Sequence, residues 1–218
     1  MKINNLLLLA ILFSLFTSTH AQNSNPEIGI KAGANYSKFT PDFSLDGRVY
    51  AEYQRKPGFY LGGFFSKSLS EKLYFQPELH FALHRTNFVA NGVEIRTNDP
   101  NAGSTVLDVE TRITESIIAL PLILRYYFTD SFFVDAGPRV GFIIDRNEKV
   151  ENDPFEEPGD PRTAPNYDFD NFDLSLSLGS GYKLSEDIII NARYFFGILE
   201  RDNSIKSSVF TLGLEYKL

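Results

Sequence analysis

The sequence contains no cysteine. This absence excludes disulfide bonds, thiolate metal sites and cysteine nucleophiles together, and it is compatible with export to an oxidising compartment. A Gly-rich phosphate-binding loop of the Walker or dinucleotide-binding type is also missing. Acidic residues outnumber basic ones and the formal net charge is −7, so we expect no nucleic-acid partner.

The one long apolar run lies at the N-terminus. Leu6–Phe16 is almost unbroken in apolar residues and follows a weakly positive start that contains Lys2. Small residues then occupy the −3 and −1 positions of a cleavage after Ala21. This order is typical of a secretory signal peptide. A membrane-anchoring helix is the alternative, but about eleven apolar residues fall short of the ~20 that span a bilayer.

No later stretch is long and apolar enough for a transmembrane helix. A membrane-embedded chain of this kind must therefore form a closed β-barrel, because only that shape pairs every backbone group. We predict a cleaved signal peptide over residues 1–21, a short lead over 22–26 and one domain over 27–218. Cleavage removes one lysine and no acid, which leaves 20 basic and 28 acidic residues and a formal charge of −8.

Apolar and polar residues alternate in eight segments beyond residue 26. The clearest case is the last segment, where Phe210, Leu212 and Leu214 alternate with Thr211 and Gly213. A period of two over ten residues predicts a β-strand rather than a helix. The segments are about nine to twelve residues long, which suits tilted membrane-spanning strands better than the shorter strands of average soluble proteins.

The connections between these segments alternate in length. Three connections are tight turns, over 66–72, 129–131 and 185–187. Three are long and polar, over 38–56, 85–114 and 146–170, and the final one, over 200–206, is intermediate. Short turns at one end and long loops at the other are typical of outer-membrane barrels, with both termini on the periplasmic side.

Alternation alone does not tell which face points inward. In a soluble lipocalin-like barrel the apolar face would surround a ligand, whereas in a membrane barrel it contacts lipid. The polar face is rich in small residues, aromatic residues cluster near both ends of the segments, and the segment lengths match a bilayer. We therefore predict an all-β, eight-stranded antiparallel up-and-down transmembrane barrel in the bacterial outer membrane.

The predicted polar face places charges of both signs inside a narrow barrel. We expect them to form a salt-bridged network that fills the lumen, since eight strands leave room for little more than side chains. An ion path or gate is the functional alternative. The residues of the predicted lumen network are Lys31, Glu78, Glu115, Arg125, Asp135, Arg139, Asp173, Arg193 and Glu215.

Several segments carry a family resemblance. The stretches 29–35, 75–79, 118–128 and 135–141 resemble strands of the PorT-like outer membrane β-barrel domain family, over nearly the whole mature chain. The end of the chain is similar to the C-terminal signal read by the outer-membrane assembly machinery, through Thr211, Gly213, Tyr216 and Leu218. Leu218 departs from the pattern, because an aromatic residue is commoner there. The resemblance implies a barrel and, as one alternative, a component of a protein secretion system.

We find no constellation that indicates catalysis. His80 and His84 share a face but lie roughly 13 Å apart along a strand, too far to chelate one metal together. We predict neither enzyme activity nor a cofactor, and a structural or interaction role through the long extracellular loops. A small-solute channel or a barrel-embedded lipid-modifying enzyme is the alternative. The expected partners are outer-membrane lipid and lipopolysaccharide, the assembly machinery during biogenesis, and a protein or glycan at the loops.

Overall fold

The computed structural model describes residues 26–45, 48–95, 105–151, 169–202 and 205–218. The predicted signal peptide and most of the short lead lie outside these residues. The described part contains nine strands: β1 (Glu27–Thr40), β2 (Phe43–Leu45), β3 (Arg48–Ser68), β4 (Leu73–Ile95), β5 (Thr105–Tyr127), β6 (Phe132–Val150), β7 (Phe172–Lys183), β8 (Ile188–Gly197) and β9 (Lys206–Lys217). Within these ranges, no helix has the length and apolar character needed to cross a membrane.

Eight of the strands close into a barrel. Each strand from β3 to β9 pairs antiparallel with its neighbour in the chain, and β1 closes the ring by pairing with both β3 and β9. The three-residue strand β2 stands outside this ring and pairs only with the beginning of β3. The predicted eight-stranded antiparallel up-and-down barrel is confirmed.

Three tight turns at one end share a local sequence. Each runs from an apolar residue through Ser or Thr and an acid to a second apolar residue, as in Leu69–Leu73, Phe128–Phe132 and Leu184–Ile188. In each turn the first backbone N–H donates to the carbonyl of the last residue, at 2.8, 3.0 and 2.8 Å. The Ser or Thr hydroxyl accepts from the N–H of that last residue, so the side chain fixes the turn. This end is periplasmic, as short turns are in outer-membrane barrels.

Four strands are much longer than the sequence predicts. β3, β4, β5 and β6 contain 21, 23, 23 and 19 residues, whereas β1 and β7 to β9 contain 10 to 14. The prediction of loops over 38–56 and 85–114 is therefore wrong for most of their residues, and 146–150 of the third loop belongs to β6; residues 152–168 lie outside the described part. Beyond the membrane both faces of a sheet meet water, so the strands continue through backbone pairing without the apolar alternation that would reveal them.

The barrel wall is apolar outside and mixed inside. β3 shows this where its sequence was ambiguous: Tyr60 and Phe64 are each 4% exposed and point into the lumen, whereas Phe59 is 46% exposed and Leu61 is exposed beside it. Ile28, Leu79 and other large apolar residues are exposed all around the outer wall. A wall of this kind faces lipid, in agreement with a membrane barrel.

Candidate functional site: the closed lumen and the extracellular sheet

A cluster of six charged side chains fills the periplasmic half of the lumen. We call it the lower cluster; its members are Lys31, Glu78, Arg125, Asp135, Arg193 and Glu215. They come from β1, β4, β5, β6, β8 and β9, at positions where the strand alternation turns the side chain inward. All six are at most 2% exposed. The cluster therefore ties six of the eight barrel strands together across the lumen.

Each cation of the lower cluster contacts two carboxylates. Lys31 Nζ lies 3.2 Å from Glu78 and 2.9 Å from Glu215. Arg193 lies 3.0 Å from Glu78 and 2.7 Å from Asp135. Arg125 closes the ring, with 2.8 Å to Glu215 and 3.4 Å to Asp135. Three cations and three carboxylates thus alternate, and their charges cancel.

Neutral side chains satisfy the remaining acceptors of the lower cluster. Gln76 Nε2 donates to Glu78 at 2.8 Å and Asn191 Nδ2 donates to Glu215 at 3.0 Å. His80 Nε2 lies 2.9 Å from the second oxygen of Glu78. Buried charges are tolerated only when they are paired and hydrogen-bonded. Every charged group of the lower cluster has such partners, while Arg125 Nε is buried without a hydrogen-bond partner in the described residues. The lower cluster is a structural plug made from strand residues alone.

A second group of charges occupies the extracellular half of the lumen. The upper cluster consists of Glu115, Arg139, Asp173 and Arg201, with Arg146 at its edge. Arg139 lies 2.8 Å from Asp173, and Arg201 lies 3.2 Å from Glu115 and 3.6 Å from Asp173. Arg201 is not on a strand of the barrel: it belongs to the connection between β8 and β9, which folds inward so that the side chain is 1% exposed. The upper cluster therefore depends on a loop.

Apolar and aromatic side chains pack against the charged clusters. The guanidinium of Arg125 stacks on Phe133 at 3.9 Å from the ring centre, and that of Arg139 stacks on Phe195 at 4.4 Å. Ile117 and Ile123, which interrupt the polar face of β5 in the sequence, are buried and fill the lumen at two levels. The interior is thus packed in layers and not lined by polar groups alone.

Aromatic and aliphatic residues close both ends of the lumen. On the extracellular side Phe39, Ile113 and Ile205 form a buried cluster, with Tyr53 and Phe88 packed against it. On the periplasmic side Tyr127 packs between Tyr74 and Phe133, with ring centres 5.3 and 5.2 Å apart. An open cleft of about 430 Å³ lies below this floor and contains Tyr74 and Tyr127 in its lining.

A small cavity of about 20 Å³ lies between the two clusters. Its lining includes Asn35, Tyr60, His80, His84 and Arg139. This volume accommodates about one water molecule, since one water occupies ~10–15 Å³ on this measure. It is too small for a continuous column of water.

The structure places all nine residues of the predicted lumen network inside the barrel, each at most 3% exposed. They fall into the lower and upper clusters and do not form one network. Sequence reasoning missed Arg201 and Arg146, because neither lies on a segment with the alternating pattern. It also missed Gln76 and Asn191 as hydrogen-bond partners of the carboxylates, although the alternation of their strands turns both side chains inward.

The residues of the predicted assembly signal all lie on or next to β9. Thr211 is buried and Gly213 lies against Tyr60, where a Cβ would clash with the tyrosine hydroxyl. Tyr216 and Leu218 point outward at the periplasmic end of the wall and are exposed. Two members are therefore internal packing residues and two are accessible from outside, and recognition by the assembly machinery stays a prediction.

His80 and His84 both line the small cavity between the two clusters. His80 contacts Glu78 in the lower cluster, and His84 lines the small cavity beside Arg139. Over the ranges that the structure describes, no three His, Asp or Glu side chains are arranged to hold a metal ion.

The long strands rise beyond the barrel as a sheet. Cα partners Lys56, Arg85, Thr114 and Asn147 mark one level across β3 to β6. Past that level β4 continues for ten residues, and β5 has nine residues before it. At ~3.3 Å per residue this projection extends about 30 Å along the strands. We call it the extracellular sheet.

Asp42 fixes the base of the extracellular sheet. Its carboxylate accepts the backbone N–H of Tyr53 at 2.8 Å and contacts Lys38 Nζ at 3.0 Å, so it joins the end of β1 to β3. Partial burial by itself raises the pKa of Asp42, but the hydrogen bond from Tyr53 and the charge of Lys38 outweigh it and hold the pKa below its ordinary value.

Comparison with known proteins identifies the family. A family model for the outer membrane protein beta-barrel domain matches residues 20–200. A search of curated proteins found no match. Among solved structures, Neisserial surface protein A is similar over 89% of this chain and 100% of its own, with 13% identity and a TM-score of 0.45. Ail, the attachment invasion locus protein of Yersinia pestis, has 14% identity over 89% and 100%, with a TM-score of 0.42.

The outer membrane protein W of E. coli has 16% identity over 90% of this chain and 100% of its own, with a TM-score of 0.42. The family match covers most of the chain and agrees with the closed ring of antiparallel strands and the lipid-facing wall described above. The chain belongs to the outer membrane protein beta-barrel domain family, and it is an integral protein of the bacterial outer membrane.

Proposed function

We propose that this protein is a closed outer-membrane barrel without catalytic or channel activity, whose function is to bind a macromolecular partner through the extracellular sheet. The observation that carries the proposal is the asymmetry of the strands. β3 to β6 extend far past the rim of the barrel, whereas β7 to β9 end close to it. Spanning the bilayer does not require this extra length, since about nine to eleven residues suffice for one strand.

The form of the extracellular sheet suits an interaction surface. Its strands are paired along their length except for a bulge between Ala90 and Val93 in β4. The short strand β2, which pairs with the beginning of β3, has a second bulge between Phe43 and Ser44. Exposed apolar side chains lie beside its charged ones, including Phe43, Val49 and Tyr50. A paired sheet presents such side chains in fixed positions, so binding costs less ordering entropy than it would on a flexible loop.

The closed lumen supports the exclusion of transport. Both charge clusters are buried, aromatic residues close both ends, and the cavity between the clusters holds about one water molecule. A conducting state would have to separate several buried ion pairs at once. For a partner, the resemblance of residues 29–35 and 118–128 to PorT-like barrels favours a protein, specifically a component of a secretion system.

Truncation of the extracellular sheet tests the proposal. Ala90 and Val109 are Cα partners, so replacing 91–108 by an Asn-Gly turn closes the β4–β5 hairpin in register. The matched control replaces the periplasmic turn residues Thr129–Ser131 by a turn of the same length. Both variants are expected to retain the heat-dependent electrophoretic mobility of a folded barrel.

The intact protein and the turn control are expected to retain the same surface-crosslinked partner, identified by mass spectrometry, and the truncated variant is expected to lose it. Equal retention by all three proteins would refute a role of the extracellular sheet. Failure of the truncated variant to fold would assign the sheet to folding instead of binding.

A further inference from the structure

We propose that Arg55, held against the outer wall near the extracellular rim, binds the phosphate of an outer-leaflet glycolipid. The guanidinium donates to the backbone carbonyls of Tyr36 and Ser208 at 3.1 and 3.0 Å. It also donates to the hydroxyls of Tyr194 and Ser208 at 3.0 and 2.6 Å. Four contacts on β1, β8 and β9 fix the orientation of this one side chain.

The contacts place the guanidinium on the lipid side of the wall. Tyr194 alternates with Arg193 and Phe195, which are both buried in the lumen, so its ring points outward. That ring packs on the exposed Phe196, with ring centres 4.4 Å apart. The guanidinium of Arg55 lies 5.6 Å from the centre of the Tyr194 ring. A rigid cation therefore stands beside an outward-facing aromatic pair.

The height of this site along the wall matches the headgroup region. Ten residues separate the exposed Ile28 at the periplasmic end of β1 from Lys38, which is the Cα partner of Ser208. At ~3.4 Å per residue and a tilt of ~40° they rise about 26 Å, close to the ~25 Å apolar band of such barrels. The outward aromatic residues Tyr36 and Phe210 lie one step below, where interfacial aromatics are expected.

Charge balance points to an anion as the ligand. All four groups that accept from Arg55 are neutral, and no carboxylate in the described ranges lies within ion-pair distance of it. Lys38, one strand away, is already paired with Asp42 at 3.0 Å. The site therefore carries one net positive charge, and its Nε–H is still available. A planar guanidinium is well suited to a phosphate oxygen.

Native mass spectrometry of the purified full-length protein in a phosphate-free detergent tests the proposal. The probes are synthetic lipid A with its two phosphates, the same lipid without phosphate, and inorganic phosphate in large excess. The variants are Arg55→Gln, Arg55→Lys and the control Arg112→Gln; Arg112 is an exposed arginine of β5 that is paired with Glu151 at 2.6 Å. Heat-dependent mobility verifies that each variant is folded.

Wild type and Arg112→Gln are expected to retain phosphorylated lipid A equally. Arg55→Gln should retain about tenfold less, since a charge-assisted hydrogen bond is lost, and Arg55→Lys should fall between them. Three outcomes would each overturn the proposal. They are equal retention of phosphorylated lipid A by wild type and Arg55→Gln, equal retention by wild type of the lipid with and without phosphate, and full displacement of lipid A by inorganic phosphate. Arg55 lies at the base of the extracellular sheet, beside Lys56, but these outcomes concern lipid on the outer wall and do not decide whether the rest of the sheet binds a partner.

Discussion

The two charge clusters of the lumen differ in what holds them. All six members of the lower cluster lie on strands, and each of its cations contacts two carboxylates. The upper cluster needs Arg201, which reaches inward from a connection. A strand residue cannot leave the lumen without breaking its ladder, whereas a connection can move outward. The lower cluster is therefore held by strands alone, whereas the upper cluster also depends on one residue of the connection between β8 and β9.

The largest effect is expected from Arg193→Met. This change removes the cation that joins Glu78 to Asp135 and leaves each carboxylate buried with one remaining Lys or Arg partner, Lys31 and Arg125 respectively. The expected loss in the free energy of unfolding is about 3–5 kcal/mol, the range for breaking a buried ion pair from one side. Equilibrium unfolding by urea in lipid vesicles measures it.

The exposed Arg112 provides the control for that experiment. Arg112→Met should change the free energy of unfolding by less than about 0.5 kcal/mol, because surface ion pairs contribute little. A loss below about 1 kcal/mol for Arg193→Met would mean that water compensates the buried carboxylates, and that the lower cluster is not a dry plug.

A smaller effect is expected from Arg201→Met in the upper cluster. Asp173 keeps Arg139 at 2.8 Å and Glu115 keeps Arg146 at 3.7 Å, so neither carboxylate is left without a cation. We expect a loss of about 1–3 kcal/mol, as for a hydrogen bond to a charged group. Amide exchange at Arg201 and Ile205, which bond to each other through their backbones, should accelerate. A loss equal to that of Arg193→Met would remove the distinction between the clusters.

Strand alternation alone selects all six members of the lower cluster, because the period of two fixes the side on which each residue lies. The shared pattern of the three short turns, an apolar residue, Ser or Thr and then an acid, was also available in the sequence. The inward position of Arg201 could not be predicted from the sequence, since a connection between strands has no alternating pattern. The long β4 and β5 were hidden for a different reason: above the membrane neither face of the sheet has to be apolar, so their residues resemble a polar loop.

The smallest effect concerns the base of the extracellular sheet, outside both clusters. In the folded state the pKa of Asp42 is depressed, so its contribution to the stability of the fold is fully present above its unfolded-state pKa near 4. This contribution is lost as the pH falls through the lower folded-state pKa. Exchange of the Tyr53 amide, corrected for its intrinsic pH dependence, should therefore increase below about pH 4. In Asp42→Asn this additional increase should be absent; the same increase in both proteins would assign it to another group.

Planar-bilayer conductance of the intact protein tests the closed lumen most directly. With the lower cluster intact, both wild type and Arg201→Met are expected to insert without steady channel currents, although the upper cluster of the variant is weakened. The same preparation should show the heat-dependent mobility of a folded barrel, so that silence is not due to misfolding. Large, steady, ohmic currents from the wild-type protein would contradict the plug and, with it, the proposal that the function lies in the extracellular sheet.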